Sequence, residues 1–441
     1  MRRAFLVNSD KCIGCRGCAM ACKSFNQLEP ERFWRYVYPL DREIYPHEER
    51  AFYSLACNHC EHPACVTACP VEAYTRREDG IVVHNPEHCI GCKNCIRNCP
   101  YGAPRFNEET QKAEKCSMCY ERLDIGMQPA CVNACPVGAL TLIDLDTDPL
   151  PKKRRSVSAG VSTYAETQSG HALYSGPSAS AAGGQIMEHY ELPLVIFTVL
   201  SQMSVGMALL LTWGTLRGTL ITTRMHWLVT GLVLAVASIA AVLHLAHPDR
   251  AYDALRNLKH AWLSREILGA TLYGAATGVT FLTKGNKVSA VITSLLGVVL
   301  VAVQGMTYAA PAMVATASGV TMLLFFITVW VMGCAVLPLL TAGTALAALR
   351  QGILVCLAVL IAAPLIWLSG GTVMQMTAHA WLTSPAYLVG LLCLVVALLV
   401  SWRGEGPAKT VFVLLFVGMI LSRMTFFGDT VSTIVNIGHL Y

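Results

Sequence analysis

Sixteen of the nineteen cysteines lie within the first 135 residues and fall into four quartets. Cys12, Cys15, Cys18 and Cys22 follow the spacing CxxCxxCxxxC, and so do Cys89, Cys92, Cys95 and Cys99. Cys57, Cys60, Cys65 and Cys69, and then Cys116, Cys119, Cys131 and Cys135, keep the outer spacings and lengthen the middle. Two soft thiolates three residues apart can turn toward one inorganic core, and a third on the same loop completes a face. The pattern predicts ligands for four cubane 4Fe-4S clusters and one-electron chemistry. Zinc sites use separated CxxC pairs, often with histidine, and fit less well. Disulfide frameworks belong to short secreted scaffolds and fit worse still.

The elements that must position these thiols repeat with them. Cys12-Ile13-Gly14-Cys15 is echoed by Cys89-Ile90-Gly91-Cys92, and Cys69-Pro70-Val71-Glu72-Ala73 by Cys135-Pro136-Val137-Gly138-Ala139. Three quartets end in Cys-Pro, the bacterial ferredoxin run whose fourth cysteine ligates the other cluster of a pair. Phe5 to Val7 read as a first strand leading to Cys12. Ala73 to Arg77 and Ile81 to His84 alternate around Glu78-Asp79-Gly80, which predicts a hairpin. The fold expected for residues 1–145 is therefore α+β, two ferredoxin-like modules in tandem.

The remainder is of another kind. The 54% hydrophobic and 14% charged content average a cysteine-rich, charged half and a half dominated by Leu, Val, Ala, Ile and Gly. Residues 146–188 hold Lys152-Lys153-Arg154-Arg155 and a Ser/Gly/Ala-rich stretch, and read as a flexible, solvated tether. A net charge of +5 spread over loops gives no reason to expect nucleic acid. Within 189–441, eight apolar runs near 192–215, 225–246, 262–282, 288–308, 319–342, 351–369, 379–402 and 410–427 are each long enough to span a bilayer. They predict an all-α eight-helix transmembrane bundle in contact with lipid, in a bacterial inner (cytoplasmic) membrane.

Basic residues in the short loops orient this bundle. Arg217, Arg224, Lys284, Lys287, Arg350, Arg403 and Lys409 fall on one side, against Arg250, Arg256 and Lys259 on the other. Positive charge marks the cytoplasmic side, so the N-terminus and its cysteine domain are expected on the periplasmic or outer face. The opening Met1-Arg2-Arg3-Ala4-Phe5-Leu6-Val7 is similar to a twin-arginine core, but no apolar signal segment follows. Export would rest on a partner carrying its own signal, and a cytoplasmic domain is the alternative.

The four quartets resemble the electron-transfer subunit of the dimethyl sulfoxide reductase family of molybdopterin enzymes. The apolar half resembles that family's membrane anchor through Tyr190 to Val199, His244-Leu245-Ala246-His247-Pro248-Asp249-Arg250 and Ser264-Arg265-Glu266. Ala246 stands where that family's motif usually has glycine. The resemblance implies two subunits fused in one chain, with menaquinol (menaquinone when oxidised) held by His244, Arg250 and Glu266. Oxidising a quinol also requires a base and a hydrogen-bonding group, and ionisable groups at membrane depth are costly unless functional. It further implies crossed ligation: Cys12, Cys15, Cys18 with Cys135; Cys116, Cys119, Cys131 with Cys22; Cys57, Cys60, Cys65 with Cys99; Cys89, Cys92, Cys95 with Cys69. Electrons would pass to a molybdopterin-containing catalytic subunit of an anaerobic respiratory reductase, since no constellation for terminal-substrate chemistry is present. Reverse flow from a dehydrogenase, an ion-translocating module and a zinc adaptor are the alternatives. Cys334, Cys356 and Cys393 read as packing residues. His226, His260, His379 and His439 make no facing pair, so haem is not favoured. Glu191, Arg423 and Asp429 read as anchors at the membrane boundary.

Overall fold

The computed structural model describes residues 2–8, 11–39, 52–148, 154–156, 163–166, 191–243, 245–317, 319–341, 345–404 and 406–433. The chain divides into two compact units, Met1–Ile186 with Thr433–Tyr441, and Met187–Ser432.

The first unit is a set of short elements between cysteine loops. In order these are β1 (Arg3–Asn8), α1 (Gly17–Phe25), β2 (Tyr36–Pro39), β3 (Phe52–Leu55), α2 (Ala64–Ala68), β4 (Tyr74–Arg76), β5 (Val82–His84), α3 (Asn94–Asn98), β6 (Arg105–Asn107), β7 (Lys112–Glu114), α4 (Tyr120–Asp124), α5 (Ala130–Asn133), β8 (Leu140–Asp144), β9 (Arg154–Ser156) and β10 (Thr163–Glu166). Strands β2–β3, β4–β5 and β6–β7 are antiparallel hairpin pairs. The expected β4–β5 hairpin is present, turning on Gly80 at φ 84°. Strand β1 pairs antiparallel with β8, Phe5 opposite Leu142, which ties the first residues of the domain to its last quartet. The stretch 146–188, expected as tether, contributes β10 parallel to β1 and β9 beyond it. Without β10, one side of β1 would present unpaired backbone groups. Residues 149–153, 157–162 and 167–188 of that stretch lie outside the described residues. The core gathers Phe5, Val7, Tyr53, Leu55, Ile81, Met118 and Leu140 around Cys18, Cys22, Cys57, Cys116 and Cys131. So small a core leaves much of its centre to thiols rather than hydrocarbon.

The second unit is helical: α6 (Leu192–Arg217), α7 (Arg224–Leu243), a 3-10 helix (Pro248–Leu255), α8 (Trp262–Leu282), α9 (Lys287–Tyr308), α10 (Val320–Leu340), α11 (Leu346–Trp367), α12 (Thr372–Thr383), α13 (Pro385–Ser401) and α14 (Ala408–Gly428). Helices suit apolar surroundings because every backbone group is paired within the segment. Among the described residues six helices are long and apolar enough to cross a membrane, and seven if α12 and α13 count as one bent span. The expectation of eight spans differs in two places. Helix α8 opens with Arg265 and Glu266, and is not among the six. The run at 379–402 is two helices meeting at 62°. Ser384 caps α13, accepting from the Tyr387 N–H at 3.4 Å, and Pro385 occupies its first turn, where no N–H is needed.

Helix α6 is the hub of this unit, packed against α7, α9, α10 and α14. At its crossing with α10, Gly206 lies backbone to backbone on Gly333 and Val329. Small residues at such crossings let helices approach in the absence of a hydrophobic drive, and buried hydroxyls add cross-helix bonds. Ser204 Oγ donates to the Thr230 carbonyl at 2.9 Å and lies 3.0 Å from the Tyr273 hydroxyl, while Ser294 donates to Thr212 at 2.8 Å.

Candidate functional site

The cysteine loops share a backbone device. In all four CxxC segments the residue before the second cysteine is left-handed: Gly14 at φ 69°, His59 at 43°, Gly91 at 69° and Met118 at 57°. Glycine takes this conformation without cost, whereas His59 and Met118 are fully buried residues held there by their surroundings. At Gly14 a Cβ would also strike the Phe52 ring at 2.6 Å. The Cys-Pro segments repeat a second device, with Glu72, Gly102 and Gly138 left-handed three residues after Cys69, Cys99 and Cys135. Such turns aim successive N–H groups at an anionic centre. The Ala73 N–H reaches Cys69 Sγ at 3.3 Å, Ala103 N–H reaches Cys99 Sγ at 3.4 Å, and Met118 N–H reaches Cys116 Sγ at 3.3 Å.

Tertiary structure sorts the sixteen thiols into four groups. Burial raises the Cys12 thiol, and the neighbouring thiols that raise it further are Cys18, Cys135 and Cys15. Burial likewise raises Cys22, whose neighbours are Cys116, Cys131 and Cys119. Cys60 is pushed up to about 12 by burial and then by Cys57 and Cys99, and Cys65 has the same neighbours. Cys92 is pushed up to about 12 by burial and then by Cys69 and Cys89, and Cys95 adjoins the same set. Each of these sets includes one thiol from a distant quartet. The groups also form a row: Cys18 of the first feels Cys131 of the second, Cys116 of the second feels Cys57 of the third, and Tyr74 lies between Cys65 of the third and Cys95 and Cys69 of the fourth. Among the described residues no three His, Cys, Asp or Glu side chains are placed to hold a single metal ion, and no cysteine is disulfide-bonded. Clustered thiols with backbone N–H groups aimed at sulfur are a donor set that fits an iron-sulfur cluster.

In the helical unit, Glu266 is 1% exposed on α8, and it is the only carboxylate within helices α6 to α14. Arg250 is half-buried on the 3-10 helix, which packs against α7 and α8. His244 and His439 lie outside the described residues. His247, near His244 in the chain, presents a buried Nε2 to which no hydrogen bond is made among the described residues.

Arg423 is not the boundary anchor expected of it. Its position six residues before Asp429, the C-cap of α14, suggested an end, but the side chain turns inward and is 5% exposed. One guanidinium nitrogen donates to Gln202 Oε1 at 3.0 Å and Thr328 Oγ1 at 3.1 Å, and the group lies 4.1 Å from the Phe325 ring centre. Gln202 continues to Gln304 at 3.4 Å, and Gln304 donates to Ser201 at 2.9 Å. The signal was available, since a lone arginine and two glutamines inside apolar runs are costly there.

Comparison with known families decides the identity. Residues 187–429, more than half of the chain, match the family described as DMSO reductase anchor subunit (DmsC). The chain belongs to that family. Residues 49–145 match a 4Fe-4S dicluster domain and residues 9–27 a 4Fe-4S binding domain. The N-terminal unit is 40% identical over 163 residues to one of the chains of the anaerobic dimethyl sulfoxide reductase of Escherichia coli, covering 35% of this protein and 78% of that relative. It is 42% identical to a subunit of the tetrathionate reductase of Salmonella typhimurium (33% of this protein, 58% of the relative). It is 34% identical to the iron-sulfur subunit of the nitrate-inducible formate dehydrogenase of Escherichia coli (31% and 52%). An iron-sulfur electron-transport domain and a multi-pass membrane anchor, similar to separate chains elsewhere, are joined here in one polypeptide.

Proposed function

We propose that the chain oxidises menaquinol in its membrane unit and relays the electrons through four 4Fe-4S clusters to a molybdopterin-containing catalytic subunit of a respiratory reductase. The observation that carries this reading is Glu266: the single carboxylate of the α-helices α6 to α14 among the described residues, 1% exposed, on the helix against which the segment bearing Arg250 packs. A quinol gives up two protons with its two electrons, so its site needs a base beside a group that holds the oxygens. Glu266 takes the proton, Arg250 holds the oxygen as it becomes negative, and His244 supplies the second acceptor. In the other unit Cys12, Cys15, Cys18 and Cys135; Cys22, Cys116, Cys119 and Cys131; Cys57, Cys60, Cys65 and Cys99; and Cys69, Cys89, Cys92 and Cys95 hold the four clusters. When bound, the clusters supply one-electron transfer. The thiols position them, and the N–H groups at Cys69, Cys99 and Cys116 stabilise charge on sulfur.

Helix α8 serves as the eighth span, its charged first turn at the quinol site. The distribution of basic loops favours a cluster domain on the outer face of the inner membrane, so quinol protons and the substrate's reduction share one side and the step moves no net charge. Reverse flow into quinone is the second reading, favoured by the likeness to a formate dehydrogenase subunit. An ion-translocating module needs carboxylates strung through several spans, and Glu266 stands alone in these helices. Glu266→Gln is expected to abolish quinol oxidation while cluster spectra stay intact, and unchanged turnover removes Glu266 from the mechanism. Protease added to spheroplasts is expected to cut the cluster domain, and full protection puts it inside.

A further inference from the structure

Arg35, between the first hairpin's opening strand and the cysteine loops, has no counterpart in the ligand pattern. Its side chain is 1% exposed. One terminal nitrogen donates to Ser54 Oγ at 3.0 Å, and Ser54 Oγ lies 3.5 Å from Cys18 Sγ. With its oxygen accepting from Arg35, Ser54 retains its own proton for the sulfur. The guanidinium carbon lies 4.4 Å from the Phe5 ring centre. Nε and the second terminal nitrogen are buried with no hydrogen-bond partner among the described residues, and no carboxylate pairs with the group there. A guanidinium does not lose its proton in proteins, so this is a permanent buried cation. The charges closest to it electrostatically are four thiols, Cys131 and Cys116 first, then Cys18 and Cys22. Two of the four thiol groups are represented, the adjacent pair formed by the first and fourth quartets.

From this juxtaposition we infer that Arg35 raises the reduction potentials of the two clusters held by the first and fourth quartets, and leaves the other two unaffected. A cluster carried by four thiolates gains one unit of negative charge on reduction. A fixed cation beside it therefore stabilises the reduced form more than the oxidised form, and the low-dielectric core leaves that attraction weakly screened. The third group has its own buried cation. Lys115, 4% exposed, donates to the Val82 carbonyl and to the Cys116 carbonyl at 3.0 Å, and its charge acts on Cys60 and Cys65. Arg35 thus sets a difference in potential along the row as well as a level, which bears on the direction in which electrons run.

The inference rests on the four-cluster ligation proposed above, and iron and acid-labile sulfide content tests that reading separately. The experiment is a redox titration followed by electron paramagnetic resonance on the full chain in membranes, comparing wild type, Arg35→Gln, Arg35→Lys and Ser54→Ala. Arg35→Gln is expected to lower two of the four midpoint potentials by at least a tenfold change in the reduction equilibrium, about 59 mV for one electron. The other two stay in place, and Arg35→Lys restores most of the loss. Ser54→Ala, a small change that keeps the cation, is expected to lower one potential only, that of the cluster bound by Cys18. The inference is overturned if Arg35→Gln with full iron content moves all four potentials alike or none, or if Arg35→Lys moves them as far as the glutamine. If Arg35→Gln loses iron, Arg35→Met, which fills more of the same space without a charge, takes its place: two lowered potentials support the inference, and none lowered overturns it.

Discussion

Adding one methyl group to Gly206 tests how the anchor is held together. A Cβ there would lie 2.2 Å from the Val329 carbonyl oxygen and 2.9 Å from the Gly333 Cα and N, all of them backbone of α10. Ordinary contact begins near 3.4 Å, so the two helices must separate by roughly 1 Å at their crossing, since no side chain can rotate away. Overpacking a tight contact costs about 1–3 kcal/mol. For a unit of this size that is roughly 2–12 °C in the unfolding midpoint, at about 2–4 °C per kcal/mol. The strain should also reach the polar network, because Gln202 lies one turn before Gly206 on α6 and Thr328 adjoins Val329 on α10, and both accept from Arg423. Thermal unfolding of detergent-solubilised Gly206→Ala would be followed by circular dichroism beside Gly278→Ala, where nothing lies within 4 Å of the added carbon. Equal midpoints for the two variants would refute backbone-on-backbone packing of α6 on α10.

Other expectations concern charge. Arg423→Gln and Gln202→Ala should each destabilise the membrane unit by about 1–2 kcal/mol, the range for buried polar contacts between membrane helices. The double variant should cost less than the sum, because both changes remove one bond, and strict additivity in a denaturation cycle would show the residues uncoupled. In the cluster domain, burial and then the charges of Lys115 and Lys112 lower the His84 pKa to about 4, against about 6.5 in an unfolded chain. Folding favours the neutral ring, so this contribution is complete above pH 6.5 and is lost as pH falls toward 4, up to about 3 kcal/mol. His84→Gln should therefore lose less stability than wild type between pH 7 and pH 4.5, and parallel losses would contradict the burial argument.

The parts of this protein legible in its sequence are those set by local geometry and local composition. CxxC and Cys-Pro runs identify thiol ligands because the bite of a ligand pair is decided over three or four residues. The Glu78-Asp79-Gly80 turn predicts its hairpin for the same reason, as Gly80 must take a positive φ. Long apolar runs identify spanning helices because a bilayer's thickness sets a minimum length. The break at Ser384-Pro385 was also written there, in a cap and a proline, but the continuous hydropathy around it hid the bend.

What depended on tertiary structure is everything that joins residues far apart in the chain. Cys135 enters the group of Cys12 because β8 pairs with β1 and returns the last quartet to the first. Arg423 turns from boundary to centre because hydrogen-bond acceptors on α6 and α10 wait for it, which no window on α14 can contain. Arg35 was silent in the sequence, one basic residue among aromatics. Its meaning comes from two cysteine loops folding around it, because a charge acts through space on whatever the fold brings near, whereas ligand spacing acts along the chain.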